Sequence, residues 1–134
     1  GFPGETAADF METLSLVEAV RFHSMFSFKY SERPGTLAAT RLADDVPEEE
    51  KDRRLAALQD LQKGIQTRLH ADAVGTSVEV LVDSVSRRRD TELSGRTTGN
   101  TVVNFPGDAS QLGSFVTVHV ERAGAHSLWG RARP

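Results

Sequence analysis

A change of hydrophobic period close to Gly75 does most to limit what this chain can become. Beyond it Val78, Val80 and Val82 recur at every second position, as do Val116, Val118 and Val120. That period of two puts alternate side chains on one face of a strand. Leu93 to Thr98 and Thr101 to Phe105 flank Gly99-Asn100, a pair that predicts a two-residue hairpin. Ser127 to Arg131 supplies a short last strand. Gly75, Gly95, Gly99, Gly107, Gly113, Gly124 and Gly130 fall at the turns or bends between these runs. Short strands with this punctuation point to a small closed β-barrel, of the five-stranded kind that binds nucleic acids.

The first half has the helical period. Thr6-Ala7-Ala8-Asp9 predicts an N-cap with an acid three residues on, opening a helix to about Val20 on which Phe10, Leu14 and Val17 share a face. Ser24 to Tyr30 returns to period two, with Phe26, Phe28 and Tyr30 on one side of an expected strand. Ser31 to Val46 reads as loop. Pro47 suits the first helical position, and Glu48, Glu49 and Glu50 favour the positive end of a helix dipole. Leu55, Leu58, Leu61, Ile65 and Leu69 then stripe a long helix, with Gly75 as its stop.

The order turn–helix–strand is part of a βαβ unit, and Gly1-Phe2-Pro3-Gly4 is the turn that would follow a strand lying before it. The expectation is therefore the C-terminal part of a longer protein. Its segments would be 1–46, 47–72 and 73–134.

The 134 residues carry a net charge of −3, which argues against a general polyanion binder, and no cysteine. Lack of thiols removes disulfides, thiolate metal sites and cysteine nucleophiles from these residues. No stretch approaches the ~18 apolar residues of a membrane span, and the cytosol is the expected compartment. Every cation after Lys63 is arginine. Either arginine's bidentate contacts to phosphate and stacking on bases account for this, or it is codon bias. His23, His70, His119 and His126 have no metal-ligand spacing, and the Glu48–Arg54 run reads as a helix start with a Glu50–Arg54 pair.

Three segments resemble a known family. Gly1-Phe2-Pro3-Gly4-Glu5-Thr6 with Asp9-Phe10 is similar to the turn after the fifth barrel strand of radical S-adenosylmethionine enzymes. The run from Phe26 through Tyr30 and Arg33-Pro34-Gly35-Thr36 resembles the next strand and loop of their methylthiotransferase branch. Gly95-Arg96-Thr97 with Val102-Val103-Asn104-Phe105-Pro106-Gly107 resembles the C-terminal TRAM domain of the tRNA-modifying members. The resemblance implies an α+β composite: a remnant of a radical S-adenosylmethionine (β/α) barrel, a long connecting helix, and a five-stranded OB-like TRAM barrel. It implies a parent enzyme that adds a methylthio group to isopentenylated adenosine beside the anticodon, using S-adenosylmethionine and two [4Fe-4S] clusters. The cluster cysteines would lie upstream, so this chain by itself binds no cofactor and carries no catalytic residue.

What the resemblance implies for single residues is limited. Gly1, Phe2, Pro3, Gly4 and Tyr30 would edge the S-adenosylmethionine pocket, with free amides at Thr6 to Ala8 as donors; the alternative is a plain strand–helix connector. Arg87, Arg88 and Arg89, in a loop between the first two barrel strands, would meet tRNA phosphates, and Arg96, Asn104 and Phe105 would hold an unpaired base. The alternative for Phe105, and the preferred reading of Trp129, is core. The partners implied are the tRNA anticodon stem-loop and the preceding part of the same protein. Rival readings are a freestanding RNA-binding module and the sibling that modifies a ribosomal protein.

Overall fold

The computed structural model describes residues 1–86 and 91–133. They form two compact units, Gly1–Ile65 and Gln66–Pro134, each described by itself.

In the first unit, helix α1 (Ala7–Val20) opens on the expected capping box, in which Thr6 and Asp9 satisfy each other's backbone amides. It closes on Arg21, whose left-handed backbone (φ 55°) lets its amide bond the Val17 carbonyl. Phe10 and Val17 are buried on one side, while Met11, Leu16 and Val20 stay half or more exposed. A short helix α2 (Leu37–Arg41), capped by the Thr36 hydroxyl, interrupts the segment expected to be all loop. The expected long helix is α3 (Glu48–Asp72), of 25 residues. Pro47 stands just before it and accepts from the Lys51 amide, so it is the N-cap rather than the first helical residue.

No strand forms over Ser24–Tyr30, which corrects the period-two reading. A strand exists by pairing, and every ladder among the described residues lies within the second unit. The alternation itself persists: Met25, Ser27 and Lys29 are partly covered, whereas Phe26 and Phe28 are 90% and 84% exposed.

The second unit contains β1 (Ser77–Val85), β2 (Glu92–Arg96), β3 (Val102–Pro106), a 3-10 turn (Ala109–Gln111), β4 (Phe115–Ala123) and β5 (Leu128–Ala132). These close into a barrel in the order β1-β2-β3-β5-β4, with β3 and β5 parallel and the other neighbours antiparallel. Alternate residues point inward: Val80, Val82, Leu93, Val103, Phe105, Val118, Val120 and Leu128 make the core. Each such side chain contributes about 1.5–3 kcal/mol on burial. Glycines permit the tight closure. A Cβ on Gly130 would run into the His119 carbonyl oxygen, and one on Gly95 into that of Leu81.

The β2–β3 connection differs from expectation. Thr97 and Thr101 still pair, the Thr97 amide donating to the Thr101 carbonyl at 3.0 Å, so Thr98, Gly99 and Asn100 form the loop. Asn100 takes the left-handed position (φ 62°) that a three-residue hairpin loop requires after its turn.

Two β-bulges break the ladders. One falls at Asp83, between Val82 and Ser84 of β1, and the other at Glu121, between Val120 and Arg122 of β4. Bulges redirect the side chains that follow them.

Candidate nucleic-acid interface

The outward residues of the barrel form a continuous row. Ser84 pairs with Ser94, Ser94 with Asn104, Asn104 with Trp129, and Trp129 with Arg122, one residue from each of five strands. All five line a single groove of about 920 Å³. The core residues that flank them in sequence turn these side chains to the outer face. Leu93 and Gly95 are buried on either side of Ser94, Val103 and Phe105 beside Asn104, and Leu128 and Gly130 beside Trp129.

Trp129 is the chain's only tryptophan. Its indole Nε1 donates to the Glu92 carboxylate at 3.2 Å, and the Arg122 guanidinium lies 4.2 Å from its ring centroid. An arginine over an aromatic face is attracted by the ring quadrupole and keeps its donors free. Placing Trp129 in the groove corrects the reading of it as core. The alternation Leu128, Gly130 against Trp129, Arg131 held that signal. Arg122 had none: extending the Val116, Val118, Val120 series points residue 122 inward, and only the bulge at Glu121 turns it out.

Of the expected base-contacting residues, Arg96 and Asn104 both line the groove. They are not direct neighbours, since Arg96 pairs with Val102. Arg96 donates to the Asn100 side-chain oxygen at 2.9 Å and lies 3.6 Å from Asp83. Phe105 is fully buried, which corrects its place among RNA-contacting residues. The β3 register turns its ring into the barrel, out of reach of a base. Arg87, Arg88 and Arg89 lie outside the described residues.

In the first unit, Phe2 meets Tyr30 edge to face, with ring centroids 5.2 Å apart. Of the amides expected as donors at Thr6 to Ala8, that of Thr6 is already committed, as is the amide of Gly4. Gly4 donates to Asp45 at 2.7 Å and Thr6 to Asp9 at 2.8 Å. Behind the turn stands an ion-pair network. Lys51, almost completely buried, places its ammonium 2.7 Å from both Asp44 oxygens. Arg54 bridges Glu5 and Glu50 at 2.7 Å each. Hydrogen bonds donated by Arg53 and then Arg54 hold the Glu50 carboxyl down at about 2.

Among the described residues no three His, Asp or Glu side chains stand together to hold a metal ion. The chain has no thiolate to ligate an iron–sulfur cluster, so its residues do not fit that group. No helix of the described residues is long and apolar enough to cross a membrane.

Residues 72–132 match the TRAM domain family. Over 98% of its length the chain is 51% identical to a tRNA-2-methylthio-N(6)-dimethylallyladenosine synthase of Chlorobium limicola. It is 49% identical over 97% to the synthase of that name from Geobacter metallireducens, and 53% over 98% to that of Halorhodospira halophila. The chain spans 28–30% of the length of these relatives. Residues 72–132 are thus similar to TRAM domains, and along nearly its whole length the chain is similar to the C-terminal part of tRNA-2-methylthio-N(6)-dimethylallyladenosine synthases.

Proposed function

We propose that the chain serves a tRNA-modifying methylthiotransferase of the cytoplasm as its C-terminal part, and that its β-barrel binds the tRNA anticodon stem-loop. The observation that carries this reading is the outward row of Ser94, Asn104, Trp129 and Arg122 on a TRAM barrel. It joins hydrogen-bonding groups, a π-face and an arginine in one groove, the combination that single-stranded RNA recognition uses. Arg96 adds a second cation there, and Arg87, Arg88 and Arg89 would extend the contact to phosphates.

The proposed division of labour follows the segments. Residues 1–46 would complete a radical S-adenosylmethionine barrel supplied by the rest of the protein, 47–72 would connect, and 73–134 would hold RNA. The nearly bare rings of Phe26 and Phe28 support the first part, because apolar side chains so exposed are stabilised when a neighbour covers them. Gly1, Phe2, Pro3, Gly4 and Tyr30 would contribute an apolar wall to the cofactor pocket. With the Gly4 and Thr6 amides already bonded, that wall offers packing more than polar contacts.

Filter binding of the chain to an anticodon stem-loop at two salt concentrations tests the RNA reading. Affinity that falls as salt rises is expected, since each neutralised phosphate releases counterions. Replacing Arg87, Arg88 and Arg89 with alanine should make that dependence shallower. Absence of binding at low salt would overturn the reading.

A further inference from the structure

We infer that the row Ser94–Asn104–Trp129–Arg122 is a subsite for a single unpaired nucleobase, held by stacking against the Arg122–Trp129 pair and hydrogen-bonded along Asn104 and Ser94. This rests on the RNA-binding reading above and specifies which part of the nucleic acid the groove takes.

The charge of the described lining favours a base over the backbone. There Arg96 and Arg122 stand against Asp83 and Glu92. Among the described residues of the groove, two cations are therefore balanced by two carboxylates. Arg96 is further engaged by Asp83 and Asn100. A carboxylate repels phosphate but not an uncharged base. Asn104 presents both a donor and an acceptor, the pattern that suits a base edge.

The state of Arg122 points the same way. It is exposed and lies over the Trp129 ring. By contrast, Arg131 lies 3.3 Å from Glu121. A guanidinium held over an indole keeps its plane and its donors available to a ligand. Trp129 is itself fixed from behind by its hydrogen bond to the largely buried Glu92. The platform thus exists before the ligand arrives, which limits the ordering cost of binding. The bulge at Glu121 is what brings Arg122 opposite Trp129.

Because Trp129 is the sole tryptophan, its emission reports directly on this subsite. The experiment titrates the chain with hexa-adenylate RNA and with an abasic oligonucleotide of equal length and charge. Trp129 emission is followed with unlabelled strands, and affinity by anisotropy with labelled ones. Hexa-adenylate should quench Trp129 saturably and bind about tenfold more tightly than the abasic strand, the scale of one base–aromatic stack. Arg122→Lys keeps the charge and removes the plane; it should cut the preference for hexa-adenylate over the abasic strand severalfold. Equal binding of both strands with constant Trp129 emission, or an unaltered preference in Arg122→Lys, would overturn the subsite and leave RNA binding intact. If neither strand nor the stem-loop binds at low salt, the RNA reading fails and the subsite fails with it.

Discussion

The Arg122 guanidinium lies 4.2 Å from the Trp129 ring centroid, on two antiparallel strands whose register would otherwise pair Trp129 with Glu121. An acid over the electron-rich face of an indole would be repelled, so the inserted residue exchanges an unfavourable partner for a favourable one. Exposed contacts of this kind are worth about 0.5–1 kcal/mol. Arg122→Ala should therefore lower stability by about that amount and leave the barrel folded. Urea unfolding followed by Trp129 emission measures it; a loss several times larger would show that Arg122 supports the fold by another route.

Phe105 provides the sharpest contrast between core and surface. Its ring is wholly inside the barrel, so Phe105→Ala should cost about 3–5 kcal/mol, the range for deleting a buried aromatic side chain. The change should appear in urea unfolding of the full chain. A loss below about 1 kcal/mol would be that of a surface ring, contrary to this packing.

Gly130 has no room for a side chain beside the His119 carbonyl oxygen and the Val118 side chain. The obstacle on one side is backbone, which cannot swing away as a side chain can. Gly130→Ala is expected to destabilise the barrel by about 1–3 kcal/mol, as overpacking does. A Gly4→Ala control meets open space but carries a φ of +82°, so it separates crowding from backbone strain. Thermal melts of both variants provide the comparison, and an unchanged melting temperature for Gly130→Ala would contradict the close strand approach.

Glu50 gives a pH signature. Its carboxyl sits at about 2 in the folded chain against an ordinary 4.5, because Arg53 and Arg54 donate hydrogen bonds to it. A depressed carboxyl stabilises the fold above the unfolded value and loses that contribution as pH falls through the folded one. Glu50→Gln should therefore be less stable than the parent at neutral pH. The difference should shrink below about pH 4.5 and be lost as pH falls through about 2. Urea midpoints of the two proteins across that range decide it; a constant difference would mean that the ion pairs carry none of the effect.

Much of this was readable in the residues. The alternation of Val78, Val80 and Val82 and of Val116, Val118 and Val120 specified two core strands, because a period of two has one solution when a single face is buried. The Thr6 and Asp9 pair placed the start of α1, since capping is a local exchange of hydrogen bonds. Phe26 and Phe28 show the limit of such reasoning. Their spacing describes a strand, yet pairing requires a neighbour, and periodicity in one segment says nothing about whether one is present.

By itself, then, the sequence determined the two longer helices, which segments would alternate, and that a small barrel would close at its C-terminal end. These follow from interactions within a few residues and from the need to bury one face. Tertiary structure alone decided that Ser94, Asn104, Trp129 and Arg122 meet in one row. Register between strands far apart in sequence, and one inserted residue at Glu121, settle which side chains become neighbours. Neither is encoded in the period of any single strand.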